Sequence, residues 1–291
     1  MKPTNMDELI QKAQELTPIE EYDGVLFKRD DLFMPFPNEK INGGKVRQAI
    51  NLIYHNLDLI RNEYNSKVAT SCGIHSPQGM IVSRVAKAYN LGCFVGYGRV
   101  LPETLADNKF VKEIFRNNGT AKRIAKQGFD KVVTFHLREL RDEGKGKNFY
   151  IIKFGIDIDR NPVVIDCIAN QVSNLPHDLD NLIIPCGSGI TSGAILRGIK
   201  KYGKKVKTIY VVHVSGEDRR SIIKKIEDSV PYIYVKGTGY RYSEEVIKTV
   251  EGQLNLDSIY EAKAYDWMTK HIDSKKERTL FWCVGNANTY R

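Results

Sequence analysis

Short apolar runs alternate along the chain with longer segments in which apolar residues recur at helical spacing. The apolar runs predict strands at 25–31, 67–72, 93–97, 149–154, 181–186, 207–214 and 279–284. The amphipathic segments predict helices at 46–55, 80–89, 106–118, 130–142, 163–175, 194–202, 218–228, 241–251 and 262–272. Strands that alternate with helices in this way indicate mostly parallel sheets covered by helices, so the predicted fold class is α/β.

Length and composition are those of a globular chain with a sizeable core. The 291 residues are 42% hydrophobic and 27% charged, which suits one large or two medium domains. No apolar run is long enough to cross a bilayer, so no membrane partner is expected. Residues 1–17 are polar with acidic side chains and resemble neither a signal peptide nor a transit peptide. Residues 141–147 are charged and contain glycine, which makes them the best linker candidate.

Five cysteines are scattered along the chain without a Cys-x-x-Cys pair. An odd and dispersed set argues against disulfides and against a zinc site, so no metal is expected. The same set favours reduced thiols and therefore a cytoplasmic location.

The net charge of +9 comes from 44 basic and 35 acidic residues, and the basic excess collects in patches. The patches contain Lys200, Lys201, Lys204, Lys205 and Lys207, then Arg219, Arg220, Lys224 and Lys225, and then the basic residues within 109–126. Such patches are typical of solvated helix faces, but they also suit an anionic partner, including nucleic acid. No helix-turn-helix, zinc-finger or RNA-binding signature accompanies them.

A lysine follows two glycines in the run Asn-Gly-Gly-Lys-Val-Arg at 42–47 and opens a predicted helix. Gly43 and Gly44 remove side-chain bulk where another molecule could lie against the backbone. Burial can shift the amine of Lys45 toward its neutral, nucleophilic form. The alternative is a solvated lysine after a turn.

A second candidate site follows the strand predicted at 181–186. The loop 185–193 reads Pro-Cys-Gly-Ser-Gly-Ile-Thr-Ser-Gly and leads into a predicted helix. Backbone N–H groups at a helix start, with hydroxyls beside them, suit a phosphate. The loop is not a Walker loop, and its G-x-G-x-x-x-G spacing misses the dinucleotide pattern, so a nicotinamide dehydrogenase is a poor candidate. The structural alternative is a tight strand-to-helix connection without a ligand.

A glycine-flanked lysine and a phosphate loop together suggest pyridoxal 5'-phosphate (PLP), which needs an amine for its aldehyde and a nest for its phosphate. The run Lys-Arg-Asp-Asp-Leu at 28–32, followed by the run at 42–47, closely resembles the N-terminal signature of fold type II, tryptophan synthase β-like, PLP enzymes. The resemblance continues at 73–76, in the loop at 187–193 and at 256–264. The nearest group is that of 1-aminocyclopropane-1-carboxylate deaminase and D-cysteine desulfhydrase.

This resemblance implies a role for each matching residue. Lys45 matches the lysine that forms the internal aldimine. The phosphate loop corresponds to residues 187–193, and its candidate cofactor ligands are Gly187, Ser188, Gly189, Ile190 and Thr191.

Four further residues match active-site positions of the family. Ser76 is similar to the serine near the substrate carboxylate and Cα, although before a proline it could instead cap a helix. Tyr260 is similar to an active-site tyrosine; its alternative is an amphipathic core residue. Tyr240 is similar to a second active-site tyrosine, which would bind substrate. Glu261 is similar to the glutamate that faces the pyridine nitrogen; its alternative is a surface carboxylate at a helix start.

The Glu261 assignment has a mechanistic consequence. A carboxylate at the ring nitrogen keeps that nitrogen protonated, because opposite charges favour each other's ionised form. A protonated ring is a strong electron sink for a carbanion at Cα. Lys45, once released from the cofactor, becomes an amine beside Cα and the natural general acid and base.

The chain departs from the family pattern at two places. After Ser76 the family has an Asn whose side chain reaches the cofactor's ring oxygen, whereas this chain has Pro77, which offers no such donor. Near the C-terminus, the usual His-Thr-Gly-Gly-like stretch reads Cys-Val-Gly-Asn-Ala-Asn at 283–288. Gln78, Asn286 and Asn288 are candidate replacements for the lost hydrogen bond, with Gln78 also a candidate substrate ligand.

Three functional hypotheses follow. The first is an enzyme that joins an amino acid to PLP as an external aldimine and breaks a bond at Cα, by deamination, β-elimination or decarboxylation. The second keeps this chemistry but uses an amino-acid adduct carried by nucleic acid, in keeping with the basic patches. The third is a PLP-binding protein without catalysis, in keeping with the missing Asn.

The resemblance also implies two three-layer α/β domains with the cofactor in the cleft between them. The large domain would comprise residues 1–49 and 151–291, and the small inserted domain residues 50–150. A homodimer is typical of the family.

Overall fold

The chain forms two compact units, each of which is described by itself. The computed structural model describes residues 6–36, 39, 41–128, 130–143, 147–156, 162–214 and 217–286. As far as it is described, the first unit comprises Met1–Ala13 and Gln48–Val164, and the second unit comprises Gln14–Arg47 and Ile165–Arg291. The division into an inserted domain and a domain built from both chain ends stays a prediction. Part of the proposed linker, residues 144–146, lies outside the described residues.

Helices and strands alternate along most of the described chain. The strands are β1 (Ile19–Tyr22), β2 (Val25–Arg29), β3 (Lys67–Ser71), β4 (Gly92–Tyr97), β5 (Thr120–Arg123), β6 (Tyr150–Ile152), β7 (Asp178–Cys186), β8 (Lys205–His213), β9 (Ile233–Lys236), β10 (Thr249–Val250), β11 (Leu254–Asn255) and β12 (Thr279–Cys283). The helices are α1 (Met6–Lys12), α2 (Gly44–His55), α3 (Leu57–Glu63), α4 (Gln78–Ala88), α5 (Pro102–Asp107), α6 (Lys109–Arg116), α7 (Asp130–Asp142), α8 (Val163–Ala169), α9 (Ile190–Lys201), α10 (Arg220–Ile226) and α11 (Glu261–His271). None of these helices, within the ranges described, has both the length and the apolar character needed to span a bilayer.

The second unit is built on a six-stranded sheet in the order β1-β2-β12-β7-β8-β9. β1 runs antiparallel to β2, and the other neighbours run parallel. Every residue of β12 is buried, and Phe281 lies opposite Phe27 of β2 and Ile183 of β7. Phe281 also belongs to a core cluster with Ala262 and Tyr265 of α11, which covers this part of the sheet. A strand as apolar as β12 is typical of parallel sheets that are buried on both faces.

The first unit holds a four-stranded, entirely parallel sheet in the order β5-β4-β3-β6. Ala69 of β3, Leu137 of α7 and Phe149 form a core cluster there. Phe149 also stacks on Phe94 of β4, with ring centroids 5.8 Å apart. The two mostly parallel sheets confirm the predicted α/β class.

Residues 241–251 do not form the predicted helix. They run as an irregular segment that ends in β10 and a turn. The buried Lys263 of α11 donates hydrogen bonds to the carbonyls of Arg241 and Tyr242, at 2.8 and 2.9 Å. These tertiary bonds occupy acceptors that a helix would use for itself, and they outweigh the local amphipathic period.

The helix predicted at 106–118 is interrupted at Asn108, between α5 and α6. Asn108 has extended backbone angles, and its side-chain oxygen accepts from the N–H groups of Phe110 and Val111, at 2.9 and 3.2 Å. It therefore starts α6 as an N-cap. β1, β5 and β9 are absent from the predicted strands because they lie at sheet edges and contain no fully buried residue.

The five cysteines are free and buried. Burial raises the pKa of Cys186 to about 11 and that of Cys167 to about 12, so both thiols stay protonated at neutral pH. They act as small core residues.

Candidate active site

The parallel strands of the second unit all end on the same side of the sheet. We call this side, which is formed by the C-terminal ends of the strands, the carboxyl edge. β2 ends at Arg29, β12 at Cys283, β7 at Cys186 and β8 at His213. In open parallel sheets, ligand sites form beyond such strand ends. Several of the predicted site residues lie on segments that meet this edge.

Lys45 is the second residue of α2 and is partly buried. The Gly44 N–H donates to the Val284 carbonyl at 2.9 Å, which fixes the start of α2 beside the end of β12. Gly43 has a φ of +96°, and a Cβ there would lie 2.6 Å from the Val284 oxygen, so only glycine fits. The sequence suggested that Gly43 leaves space for another molecule. Instead, the backbone of Val284 and Gly285 fills the space beside Gly43.

Arg47, two residues beyond Lys45, is fully buried and holds α2 to the sheet. Its guanidinium lies 3.7 Å from Asp30 Oδ1 and donates to the Glu15 carbonyl at 3.0 Å. Asp30 also accepts a hydrogen bond from the indole N–H of Trp282, at 3.1 Å. Buried charges persist only when they are paired and hydrogen-bonded. This network therefore fixes the first turn of α2 and, with it, the backbone of Lys45.

Asn42 and Asn286 tie the approach to α2 to the segment after β12. Asn42 Nδ2 donates to the Asn286 carbonyl at 3.0 Å, and the Asn286 N–H donates to Asn42 Oδ1 at 2.7 Å. Asn286 Nδ2 donates to the Asn255 carbonyl at 2.6 Å. These contacts give Asn286 a structural task, and its suggested contact with the cofactor stays a prediction. Asn288 lies outside the described residues.

The loop 187–191 joins β7 to the first turn of α9. Gly189 has a φ of +89° and precedes α9, which no side chain caps. The Gly193 N–H donates to the Gly189 carbonyl at 3.0 Å, so the N–H groups before Gly193 belong to the open helix start. Ser188 is buried and Thr191 is partly buried. An uncapped helix start with hydroxyls beside it supplies the donors and the partial positive charge that suit a phosphate.

Tyr260 packs against this loop. A Cβ on Gly187 would lie 2.8 Å from Tyr260 Cε1, so the glycine lets the ring approach the backbone. The Tyr260 hydroxyl shares a hydrogen bond of 2.7 Å with the Tyr242 hydroxyl. The Asp257 carboxylate accepts from the N–H groups of Ile259 and Tyr260, at 3.0 and 2.9 Å. Tyr260 is thus held beside the predicted phosphate loop.

Glu261 begins α11 and is only 1% exposed. Its carboxyl group accepts from the N–H groups of Gly285 and Asp257, at 3.0 and 3.1 Å. Burial raises the pKa of Glu261 well above its usual range, and the carboxylates of Asp31 and Asp257 raise it further, against the effect of the two N–H donors. Glu261 therefore binds a proton more readily than an exposed carboxyl group does. The ionised carboxylate at a ring nitrogen stays a prediction.

Tyr242, which the motifs did not single out, is the tyrosine that meets Tyr260. Tyr240 instead donates to Asp266 at 2.9 Å, and Asp266 also pairs with Lys248 at 2.7 Å. The sequence signal for Tyr242 is the repeated tyrosine of Gly-Tyr-Arg-Tyr, in which either residue could match the family position. A role for Tyr240 in substrate binding stays a prediction.

Ser76 and Gln78 lie in the first unit, where β3 leads into α4. Ser76 Oγ accepts a hydrogen bond from the Gln78 N–H at 3.3 Å. Gln78 is the first residue of α4, so this bond is the contact expected if Ser76 serves only to start the helix. Gln78 Nε2 donates to Thr70 Oγ1 at 2.9 Å and to the Lys153 carbonyl at 3.0 Å, and Gln78 Oε1 accepts from the Gly155 N–H at 2.8 Å. Gln78 thus secures the segment after β6. The substrate contacts of Ser76 and Gln78 stay predictions.

At the carboxyl edge, the start of α2 with Lys45, the open helix start of α9 and the buried carboxyl group of Glu261 lie beside two neighbouring strands. The segment after β12 contacts the start of α2 through Val284 and Glu261 through Gly285. β7, which pairs with β12, leads into the loop 187–191. Neighbouring strands lie about 4.8 Å apart. This donor set fits PLP, because it offers an amine for the aldehyde, a helix start for the phosphate and a carboxyl group for the ring nitrogen.

Comparisons with known proteins agree with this arrangement. No family model matches the chain. The O-seryl-dTMP PLP-dependent decarboxylase of Salmonella phage ViI is 24% identical to it, over 90% of this chain and 78% of the phage protein. An ACC deaminase homologue of known structure matches with a TM-score of 0.72 and 18% identity, over 96% of this chain and 94% of that chain. Escherichia coli diaminopropionate ammonia lyase, in complex with an aminoacrylate-PLP azomethine intermediate, matches with a TM-score of 0.66 and 10% identity, over 99% of this chain and 91% of that chain.

These likenesses extend over nearly the whole chain. They confirm the predicted tryptophan synthase β-like fold and the predicted resemblance to fold type II PLP enzymes. They also agree with the predicted nearest group, since an ACC deaminase homologue is among the matching structures.

Proposed function

We propose that the protein is a PLP-dependent decarboxylase whose substrate is a serine joined through its side-chain oxygen to a thymidine nucleotide. The broader prediction, a PLP-dependent enzyme that breaks a bond at Cα, is confirmed by the comparisons. The choice of bond and of substrate is supported by the phage relative, which is an O-seryl-dTMP decarboxylase. The observation that carries the proposal is the meeting of Lys45, the loop 187–191 and Glu261 at one sheet edge.

Three groups at this edge would hold the cofactor. Lys45 would carry it through its amine, and the loop 187–191 would bind its phosphate through N–H groups and hydroxyls. Glu261 would face the ring nitrogen, where its buried carboxyl group would hold a proton in a hydrogen bond with that nitrogen. When bound, PLP supplies an electron sink for the electron pair left at Cα after bond cleavage.

Decarboxylation of an O-linked serine breaks the bond between Cα and the carboxyl carbon. Carbon dioxide leaves, the electron pair stays at Cα, and a proton takes the place of the carboxylate, so the product is an aminoethyl ether of the nucleotide. Lys45 is the group we expect to deliver that proton. The hydroxyls of Tyr242 and Tyr260 share a hydrogen bond and can hold or pass a proton at the same edge.

Elimination is the competing reaction. It removes the Cα proton and breaks the bond between Cβ and the nucleotide oxygen, which leaves as the hydroxyl form of the nucleotide; water then hydrolyses the remaining aminoacrylate to pyruvate and ammonia. The observation in its favour is the shared fold with an ACC deaminase homologue and with diaminopropionate ammonia lyase. The products of the two reactions are different compounds, so product analysis separates them.

The test is product analysis after incubation of the PLP-loaded protein with O-seryl-dTMP and, separately, with free serine. We expect carbon dioxide and the aminoethyl ether from O-seryl-dTMP, with slower turnover of serine. Pyruvate and ammonia would assign elimination instead. No product from either compound, or from a panel of other amino acids, would favour the hypothesis of a PLP-binding protein without catalysis.

Lys45→Ala is the matched variant for this test. It keeps the loop 187–191 and Glu261 but removes the amine, so we expect no visible absorption band on addition of PLP and no turnover. Lys112→Ala, which removes an exposed lysine of α6, is the control and should retain both. Full activity of Lys45→Ala would contradict the proposed role of the amine.

The partners and the location are part of the same proposal. A homodimer is proposed from the family resemblance, and light scattering of the purified protein tests it. A cytoplasmic location is proposed because the five cysteines are free thiols, which persist in reducing compartments. Whether the nucleotide substrate is free or part of DNA is tested by comparing O-seryl-dTMP with DNA that carries the same adduct.

A further inference from the structure

Arg219 lies against the proposed phosphate loop. A Cβ on Gly189 would lie 3.1 Å from Arg219 Cβ and 3.3 Å from the Arg219 carbonyl oxygen. The side chain of Arg219 is only 11% exposed. A guanidinium is costly to bury unless anions or acceptors surround it. Its position beside an uncapped helix start would let Arg219 and that helix start bind the same anionic ligand.

The backbone of Arg219 is fixed on both sides. Its N–H donates to the Tyr234 hydroxyl at 3.0 Å, and its carbonyl accepts from the N–H groups of Ile222 and Ile223, at 3.0 and 3.1 Å. Arg219 Nη1 also pairs with Glu217 Oε2 at 3.2 Å, but Glu217 is 57% exposed. An ion pair with an exposed carboxylate is weak, so a doubly charged anion can compete with Glu217 for the guanidinium.

The positive charge of Arg219 acts on the end of β7 and the end of β8. Burial raises the pKa of Cys186 to about 11, and the charge of Arg219 opposes that rise. Burial lowers the pKa of His213, and the charge of Arg219 lowers it further, so His213 stays neutral at neutral pH. Cys186 immediately precedes Gly187. The charge of Arg219 thus acts on the two strand ends beside the loop, and its Cβ lies close to Gly189 of the loop itself.

We propose that Arg219 binds the phosphate of the cofactor together with the loop 187–191, an inference that rests on the proposed function. The loop residues Gly, Ser, Gly, Ile and Thr carry no charge. A helix start offers only about half a positive charge, whereas a phosphate monoester carries nearly two negative charges. A guanidinium adds a full charge and paired N–H donors that match phosphate oxygens.

Arg220 is a matched control for Arg219. It is the same residue type at the next position, but its guanidinium pairs with Asp218 through Nε and Nη2, at 2.9 and 2.5 Å. Its side chain is 47% exposed. A nonspecific effect of losing one positive charge would appear in both variants, whereas a phosphate contact affects Arg219 alone.

The experiment titrates cofactor-free protein with PLP and with pyridoxal, which lacks the phosphate, and follows the visible absorption. Arg219→Ala is expected to bind PLP about 10- to 100-fold more weakly than the wild type, the effect of one charge-assisted contact. Its affinity for pyridoxal should stay within about twofold. Arg220→Ala should bind both compounds as the wild type does.

Two outcomes would overturn the inference. One is wild-type affinity of Arg219→Ala for PLP, and the other is an equal loss for PLP and pyridoxal, which would indicate a structural role. If Arg219→Ala does not fold, Arg219→Lys takes its place, with a smaller loss expected for PLP alone and the same outcomes overturning the inference. Failure of the wild type to bind either compound would instead overturn the proposed function.

Discussion

The two edges of the six-stranded sheet are both rich in charge but place it differently. At the carboxyl edge, Asp30, Arg47 and Glu261 are at most 1% exposed and are bonded to named partners. At the opposite edge, where β7 and β8 begin and which we call the amino edge, the side chains of Lys200 and Lys207 are 59% and 81% exposed, and each forms an ion pair. Burial with specific partners, and not the number of charges, distinguishes the candidate site.

The amino edge also holds a groove of about 840 Å³, lined by residues at the start of β7 and β8. Lys207 and Asp180 line it together, and Lys204 donates to the carbonyls of Ser173 and Leu175. β7 has nine residues, so roughly 30 Å separates the two edges. These lysines therefore do not line the carboxyl edge. Their positive charge at the amino edge is weak support for a nucleic-acid-linked substrate.

The largest expected effect comes from breaking a buried pair at the carboxyl edge. Asp30→Ala leaves the guanidinium of Arg47 without its carboxylate and removes an acceptor from Trp282. We expect the free energy of unfolding to fall by about 3–5 kcal/mol, measured by urea denaturation of the cofactor-free protein. A loss below about 1 kcal/mol would show that the buried ion pair at the carboxyl edge stabilises the fold no more than an exposed ion pair at the amino edge does.

The next effect concerns the buried ammonium that shapes the segment before β10. Lys263→Met keeps the apolar stem but removes the donors to Arg241 and Tyr242, so we expect a loss of about 1–3 kcal/mol in unfolding free energy and a fall in kcat. Lys270→Met, on the same helix but with a side chain 61% exposed, is the control and should cost about 0.5 kcal/mol or less. Equal effects of the two variants would contradict the positioning of Tyr242 by Lys263.

A smaller effect depends on pH. The folded pKa of Glu261 is raised above its unfolded value, so its ionisation destabilises the folded state as pH rises through and above the unfolded value. Glu261→Gln removes that penalty. We expect the stability of Glu261→Gln relative to the wild type to increase as pH rises above the unfolded pKa of the carboxyl group, measured by denaturation of the cofactor-free protein between pH 4 and pH 8. A difference independent of pH would mean that Glu261 is equally ionised in both states.

The smallest effect is expected at the amino edge. Lys207→Ala removes an exposed lysine that pairs with Asp180, so we expect a change of about 0.5 kcal/mol or less in unfolding free energy. PLP affinity, measured by the same titration as for Arg219→Ala, should not change. A marked loss of PLP affinity would contradict the assignment of the cofactor site to the carboxyl edge and not to the amino edge.

The sequence predicts those parts of the site whose residues are close together in the chain. Gly43 and Gly189 adopt positive φ beside strand ends, and glycine with neighbouring Lys, Ser or Thr is visible in the sequence as it stands. Tyr242 was not predicted because its partner Tyr260 is 18 positions away. Arg219 was predicted only as part of a basic patch, either a solvated helix face or a site for an anionic partner, because nothing near it in the sequence indicates its contact with Gly189.

Long-range bonds also explain the remaining differences. Asp30 and Arg47 were not predicted as buried, because charged residues are mostly exposed unless a partner elsewhere in the chain neutralises them. The segment 241–251 has the apolar period of a helix, but its first two carbonyl groups accept hydrogen bonds from Lys263. In each case the deciding interaction joins residues that are distant in the sequence.

The position of β12 has a consequence for biosynthesis. It stands between β2 and β7, yet it leaves the ribosome after both of them. Until it emerges, the nascent chain has an apolar seam in the middle of its sheet, which chaperones can bind and which favours aggregation. Val284 and Gly285 arrive later still, so the contacts that hold the start of α2 and Glu261 at the candidate site form only after β12 has been made.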